Sequence, residues 1–470
     1  MLIMKPHVSP KVSVVVTAHN YGKYLPQALD SVINQRYSDW EMIVVNDGST
    51  DNTQEILAGY QERLGNKMKI LTLNGVGLAK ASNAGIKLSQ GQYIIRLDAD
   101  DYFDENIFLI EATILDNDPH IHMVFSDYYR INKYGEVIDA YRLQKVNDEV
   151  KLLDRSPLAA GAMYRRECYD AIGGYNESLR YQEDYDFWIR FIDKYHVYNV
   201  NLPLMYYRKH NLSMSTNFVE RMKARQYVKK KFVEEKEILK DKNIIALIPA
   251  MGLFRNTEHL ATKMLGGKPL LAYTIEEALK TKAISRVIVS TEDQEIADIA
   301  LRYGAEVPFL RPAALAKPNV PVEDVIRHLL GYLEEQGDPQ PDYIAILNYN
   351  TPFKEERHIT EAIDTILLYD ADSVISVVED LTFHWKPGEH GLTPVGYQKR
   401  FLRKDKETVY KETGAIYVFK RENLYSHCDS YLGRVIGHIE MTPEEAWRIE
   451  SLFDYSIANQ IQQKKQAVVA

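Results

Sequence analysis

Residues 12–16 are Val-Ser-Val-Val-Val, and they run straight into the polar loop Thr17-Ala18-His19-Asn20-Tyr21. A segment with Leu25, Ala28, Leu29, Val32 and Ile33 at helical spacing follows. The order then repeats. Residues 42–45 form a second apolar run, Asn46-Asp47-Gly48-Ser49-Thr50-Asp51 a second polar loop, and residues 53–64 a second helix. Short apolar runs of this kind are covered on both faces, which a parallel sheet flanked by helices provides. Ligands of such sheets lie at the carboxyl ends of the strands, where both polar loops fall. The predicted class is α/β.

The pattern restarts at Asn243, with an apolar strand at 244–248, a helix at 270–279, and a strand at 286–290 followed by Thr291-Glu292-Asp293. A chain of 470 residues exceeds one ordinary core. Two Rossmann-like α/β domains are therefore expected, over 1–216 and 243–470, joined by a helical linker over 217–242. That linker is rich in Lys, Arg and Glu, with Phe218, Met222, Tyr227, Phe232 and Ile238 as its apolar positions. It reads either as a helix packed on one domain or as a basic amphipathic helix touching an anionic membrane surface.

The hydrophobic share of 45% and charged share of 26% belong to a packed globular protein. The formal charge of −9 weighs against nucleic acid as a partner. Cys168 and Cys428 are the only cysteines, too few for a disulfide scaffold, and no CxxC or Cys/His cluster suggests structural zinc. The opening MLIMKPHVSPK lacks the apolar stretch of a signal peptide, and no run of about 18 apolar residues marks a membrane span. The expectation is a cytoplasmic enzyme, peripheral at the inner face of the membrane if the linker helix meets lipid.

Residues 93–97 read as a buried strand that ends in Asp98-Ala99-Asp100-Asp101. Three carboxylates within four residues repel one another unless solvated or bridged by a hard cation, and Mg²⁺ and Mn²⁺ prefer such oxygen ligands and share them with phosphates. With the two upstream loops and Ala81-Ser82-Asn83-Ala84-Gly85-Ile86, the chain over about residues 10–215 resembles the family 2 inverting glycosyltransferases of the GT-A fold. Their pattern runs VSVVIPxYN, VVDDGSTDNT, ARNxGI and DADD. The resemblance implies that Thr17, Ala18, Asn20, Tyr21, Asp47, Asn83 and Asp98 bind a nucleotide-sugar. It implies that Asp100 holds the diphosphate through Mn²⁺ or Mg²⁺, with His210 facing that metal. Asn46 stands where an aspartate is common, and Ser82 where an arginine is common.

Further on, Gly173-Gly174-Tyr175-Asn176-Glu177 precedes Glu183-Asp184-Tyr185-Asp186, and Arg190 completes the family's EDxDxxxR stretch. An inverting transfer needs a base to deprotonate the acceptor hydroxyl. Asp184 is assigned that role, with Glu183 as the second candidate; helix capping by acidic residues is the bland alternative. Trp188 reads as a core residue and His19 as a loop residue without a role.

The second half resembles the cytidylyltransferases that activate sialic-acid-like sugars with CTP, a nucleotidyltransferase-like fold. The resemblance rests on Ile248-Pro249-Ala250-Met251-Gly252, Gly267-Lys268-Pro269-Leu270, Arg311-Pro312, and Glu450 with Asp454. Arg255, Lys263, Lys268, Arg311, Glu450 and Asp454 are the candidate nucleotide site. Met251 replaces the motif arginine, Leu253-Phe254 replace Gly-Ser, and Glu450 replaces a metal-binding aspartate. Phosphate binding needs cations and backbone amides, so this domain reads as degenerate, kept for binding, positioning or a homodimer. The expected partners are a nucleotide-diphosphate sugar and a hydroxyl acceptor on a glycan, lipid-linked glycan or protein. The alternatives are a bifunctional enzyme that also activates an acidic sugar with CTP, and a non-catalytic nucleotide- or sugar-binding protein.

Overall fold

The computed structural model describes residues 10–143, 160–210, 217–254, 257–317, 319–388, 391–395, 409–426 and 430–469. The chain divides into two compact units, Met1–Val228 and Lys229–Ala470.

The first unit begins β1 (Val12–Ala18), α1 (Leu25–Ile33), β2 (Trp40–Asp47), α2 (Thr53–Leu64), β3 (Met68–Leu73), α3 (Leu78–Leu88) and β4 (Tyr93–Asp98). It continues β5 (Tyr102–Phe103), α4 (Ile107–Asn117), β6 (Met123–Ile131), β7 (Val137–Tyr141), β8 (Ala162–Arg165), α5 (Arg166–Ile172), α6 (Glu183–Ile192) and β9 (Val197–Arg208). The sheet runs β3-β2-β1-β4-β8-β6-β9-β5, with β7 beside β6. The contiguous β3-β2-β1-β4 block is parallel, and β8 joins β4 antiparallel. Every residue of β1 and β2 is buried, as apolar runs covered on both faces must be. In α1, Leu25, Ala28, Leu29 and Val32 face the core and Pro26 sits in the first turn, where its missing N–H costs nothing. Helix α3 lies so close to the sheet that a Cβ on Gly85 would come within 2.6 Å of Val15 Cγ1 and 2.8 Å of Val45 Cγ2. Trp188 packs in the core, edge-on to Phe125. Near the end of the unit, the Arg225 guanidinium lies 4.4 Å from the ring centroid of Tyr185.

The residues expected to link the domains form α7 (Phe218–Glu235), and the division between units falls within it. In the second unit, Lys229 at the start of that share is buried and pairs with Glu361 at 3.4 Å.

The second unit continues β10 (Ile244–Pro249), the hairpin β11 (Leu253–Phe254) with β12 (Thr257–Glu258), and the hairpin β13 (Met264–Leu265) with β14 (Lys268–Pro269). Next come α8 (Leu270–Lys280), β15 (Arg286–Ser290), α9 (Gln294–Arg302), α10 (Val322–Gln336), β16 (Tyr343–Leu347), α11 (Glu356–Tyr369) and β17 (Ser373–Asp380). The hairpin β18 (Trp385–Gly388) with β19 (Gly391–Pro394), then β20 (Val409–Lys420), β21 (Ile436–Glu440) and α12 (Leu452–Val469) complete it. The sheet order is β15-β10-β16-β20-β17-β21. Strands β15, β10 and β16 are parallel, and β20 is antiparallel to both its neighbours. Both units have the α/β build that the strand–loop–helix pattern predicts.

Candidate active site

Strands β1, β2 and β4 end side by side, with Thr17 opposite Asp98 and Ala18 opposite Asn46. The polar loops that are far apart in sequence therefore meet at one edge of the sheet. Thr17 Oγ1 donates to Asp98 Oδ1 at 3.1 Å. Asp100 Oδ2 lies 2.8 Å from His210 Nε2, and that imidazole stacks on Tyr24 and meets Tyr21 edge-on, each at 5.6 Å. Asp101 turns inward, where its Oδ1 accepts from Arg208 N at 2.7 Å, and Arg208 Nε donates to the Asp100 carbonyl at 2.7 Å.

Burial pushes the Asp98 carboxyl above its usual range and Asp100 adds to this, against Arg96 and the Thr17 hydroxyl. Asp101 is driven well up by burial, then by Asp100 and Asp98. Tyr21 is raised by burial and by the same three acids. This excess of negative charge, with Asp100 and His210 paired at its edge, fits Mg²⁺ or Mn²⁺. Among the described residues no three His, Cys, Asp or Glu side chains are gathered as a metal cage. The donor set thus suits an ion that completes its shell with diphosphate oxygens.

The other expected binding residues have defined partners. Asp47 accepts from Val76 N at 2.7 Å and Gly77 N at 2.8 Å, next to the start of α3. Asn20, with φ 60°, accepts from Thr50 N at 2.7 Å, and its own N–H donates to Ser49 Oγ at 3.0 Å. These bonds tie the loops after β1 and β2 together. Asn83, on α3, bonds to the corner that precedes α6. Its Nδ2 donates to Tyr175 O at 2.9 Å, and its Oδ1 accepts from Tyr175 N at 3.0 Å and Tyr169 Oη at 2.6 Å. Both ends of its amide hold the 174–177 corner, an anchoring role that the motif alone does not disclose. His19 Nδ1 meets the Asp47 carbonyl at 2.5 Å. Ser82 is fully buried with its hydroxyl unpartnered.

Glu183 and Asp184 open α6 after Gln182, which has φ 61°. Arg190 donates to Asp186 at 2.9 Å, to Ile172 O at 2.7 Å and to Gly174 O at 2.8 Å, so the last residue of the EDxDxxxR stretch fixes the helix against the glycine corner. Glu183 is buried, and burial followed by Asp184 raises its carboxyl to about 7, against the pull of Arg96. Asp184 is half-buried and accepts from Tyr185 N at 2.8 Å.

A residue that sequence reasoning passed over lies between these groups. Arg96, on β4, is 2% exposed. Its guanidinium is 3.5 Å from Asp98, 3.8 Å from Glu183 and 5.2 Å from the ring centroid of Tyr175. The available signal was a charged residue inside the apolar run Tyr93–Asp98.

In the second unit, the ends of β10 and β15 present Ala250, Gly252 and Glu292. Glu292 accepts from Gly252 N at 2.9 Å and from Arg311 Nη2 at 2.7 Å. Arg311 also donates to the Ala250 carbonyl at 2.9 Å. Lys268 pairs with Glu276. Lys263 is half-buried, and its carbonyl accepts from Leu270 N at 2.9 Å. Asp454 Oδ2 accepts from Glu450 N at 3.1 Å and Ser451 Oγ at 2.7 Å, and Glu450 pairs with Arg448 at 3.0 Å. Arg255 lies outside the described residues. A backbone amide and an arginine that suit a phosphate are thus occupied by the unit's own carboxylate.

Residues 13–173 match the family described as Glycosyl transferase family 2. An uncharacterized glycosyltransferase of Rickettsia typhi is 30% identical over 217 residues, covering 44% of this chain and 67% of the relative. The chain belongs to glycosyl transferase family 2. The family 2 domain is followed by a cytidylyltransferase domain, matched over residues 261–467. The N-acylneuraminate cytidylyltransferase of Escherichia coli is 30% identical over 231 residues, 47% of this chain and 52% of that protein. The chondroitin synthase of Pasteurella multocida is 29% identical over 187 residues, 39% of this chain and 19% of that protein. The chain therefore spans about half, or much less, of these two relatives' own lengths. The cytidylyltransferase match begins at residue 261, after the opening loop in which Met251, Leu253 and Phe254 depart from the motif. The family 2 match embraces Asp98 and Asp100 and stops before Glu183 and Asp184.

Proposed function

We propose that the family 2 domain is a metal-dependent inverting glycosyltransferase, moving a sugar from a nucleoside diphosphate to a hydroxyl acceptor in surface-polysaccharide or glycan assembly. One observation carries this reading. The acidic end of β4 and the acid pair of α6 are brought to the two sides of one buried arginine, Arg96, at the carboxyl edge of a parallel sheet. In the transfer, the acceptor oxygen forms a bond to the anomeric carbon as the bond from that carbon to the diphosphate oxygen breaks. The acceptor proton passes to a carboxylate, and the diphosphate leaves with the electron pair. Asp184, half-buried in the first turn of α6, is the proposed acceptor of that proton, with buried Glu183 as the second candidate. Asp100 and His210, with Asp98 nearby, would hold Mn²⁺ or Mg²⁺, which when bound supplies positive charge to the departing diphosphate. The β1 and β2 loops, from Thr17 to Tyr21 and around Asp47, are the candidate base and ribose contacts.

The cytidylyltransferase domain is proposed to bind, position or dimerise rather than to turn over CTP. Glu292 already answers the Gly252 amide and Arg311, which supports this reading. The second reading, that this domain also activates an acidic sugar, is favoured by the likeness to the N-acylneuraminate enzyme. A homodimer through the second unit would cover Phe383, Trp385, Leu392 and Val395, which are exposed. No described helix is long and apolar enough to cross a membrane. Residence in the cytoplasm, with a peripheral contact through α7, is the proposed location.

The test is calorimetric titration of the intact chain and of Asp100→Ala with UDP, GDP, dTDP, CDP and CTP, with Mn²⁺ and with chelator. Metal-dependent binding of one nucleoside diphosphate, lost in Asp100→Ala, supports the transferase. Binding of CTP alone, untouched by Asp100→Ala, transfers the activity to the second unit and defeats the leading reading.

A further inference from the structure

Among the described residues the Nε and Nη1 of Arg96 are fully buried and have no hydrogen-bond partner. A guanidinium carries five donors in a fixed fork, and leaving buried donors unmade is costly. Such a group persists where it has work that packing does not supply. Its neighbours are Asp98 on its own strand, Glu183 on α6, and the face of Tyr175 from the corner before that helix. Asp184, the other acid of that turn, also adds to the negative field around it. Alternation along β4 puts residues 96 and 98 on one face, so the guanidinium lies directly behind the donor end of the site. The gaps of 3.5 and 3.8 Å are those of ion pairs short of hydrogen-bond contact, and catalytic contacts commonly tighten only in the substrate complex.

We propose that Arg96 is a positioning residue for the transfer, drawing Glu183, and with it the neighbouring Asp184, toward Asp98 when the donor is bound. This rests on the transferase reading above. Arg96 itself touches neither donor nor acceptor. Its removal should therefore slow the chemical step while sparing nucleotide affinity, because the contact is realised in the transition state and not in simple binding.

The experiment compares the intact chain with Arg96→Met, Arg96→Lys, Glu183→Gln and the double variant Arg96→Met/Glu183→Gln. Nucleoside diphosphate release from UDP-N-acetylglucosamine, UDP-glucose, GDP-mannose and dTDP-glucose is measured with Mn²⁺, alongside calorimetric affinity for the matching nucleoside diphosphate. Turnover by Arg96→Met is expected to fall about 100-fold with affinity changed by less than about 3-fold. Arg96→Lys should recover about 10-fold of that loss, since it keeps the charge but not the fork. The double variant should fall no further than Arg96→Met, as expected of residues acting as one unit. If Arg96→Met fails to fold, Arg96→Lys decides the matter: turnover reduced about 10-fold with nucleotide affinity kept supports the proposal, and wild-type turnover overturns it. Wild-type turnover in a folded Arg96→Met overturns the proposal, and so does an equal loss of turnover and nucleotide affinity. If the intact chain neither binds a nucleoside diphosphate nor turns over any donor, the transferase reading fails, and this proposal with it.

Discussion

Asp100 Oδ2 and His210 Nε2 lie 2.8 Å apart although 110 residues separate them in the chain. The pair brings the end of β4 against the residues that follow β9, with the Tyr24 ring stacked on the imidazole. As proposed metal donors, the two should not contribute equally. Asp100→Ala is expected to abolish Mn²⁺-dependent binding of the nucleoside diphosphate. His210→Ala is expected to weaken it by about 10–100-fold, the loss usual for a supporting partner of a metal site. Equal losses, read by calorimetry, would make His210 as necessary as Asp100.

The acid pair of α6 should separate in kinetics. Asp184→Asn is expected to lower kcat by about 10²–10⁴-fold with little change in donor affinity, as removal of a general base does. Glu183→Gln should cost less, because Glu183 faces Arg96 and not the solvent side. The reverse order in single-turnover assays would move the base to Glu183.

Glu111 on α4 is fully buried, and neither carboxyl oxygen has a hydrogen-bond partner. Burial holds this acid well above the usual glutamate range, opposed by the Ser126 hydroxyl. The folded state therefore favours the protonated form. The stability this represents is complete below the unfolded value near 4.5 and is lost as pH rises toward the folded value. Glu111→Met should accordingly raise the melting temperature, by a margin that widens with pH. An unpaired buried carboxyl costs about 1–3 kcal/mol, and each kcal/mol moves the midpoint about 2–4 °C in a domain of this size. Melting curves between about pH 5 and 8 with a constant margin would contradict the assignment.

Gly85→Ala should destabilise the first unit by about 1–3 kcal/mol, the usual cost of overpacking. The added methyl would press on Val15 and Val45 of the central strands, whose side chains are packed on both faces. Denaturant unfolding with an unchanged midpoint would show that α3 can move away from the sheet.

CTP should give no heat with the intact chain in Mg²⁺, nor should CMP-sugar form from CTP and N-acetylneuraminate. The Arg311–Glu292 pair at 2.7 Å and the Gly252 amide bonded to the same carboxylate leave an incoming phosphate facing a negative group. Radiolabelled CTP converted to product would establish the bifunctional reading.

Much of this architecture was legible in the amino-acid order because its signals are local. The apolar runs at 12–16, 42–45, 93–97, 244–248 and 286–290 fall within β1, β2, β4, β10 and β15. The helical spacing of Leu25 to Ile33 is that of α1, and residues 53–64 are those of α2. The division at Val228 falls within α7, inside the helical segment 217–242 whose charged composition marks it as the link.

The chain's own sequence determined where strands and helices begin, which loops are polar, and that acids would gather after β4, since each depends on neighbours a few residues away. Tertiary structure alone decided that Arg96 stands between Asp98 and Glu183, that Asn83 anchors Tyr175, and that Glu292 answers Arg311. Those relationships join residues far apart in the chain. Their energetics depend on burial, and burial exists only once the sheet and its covering helices have assembled.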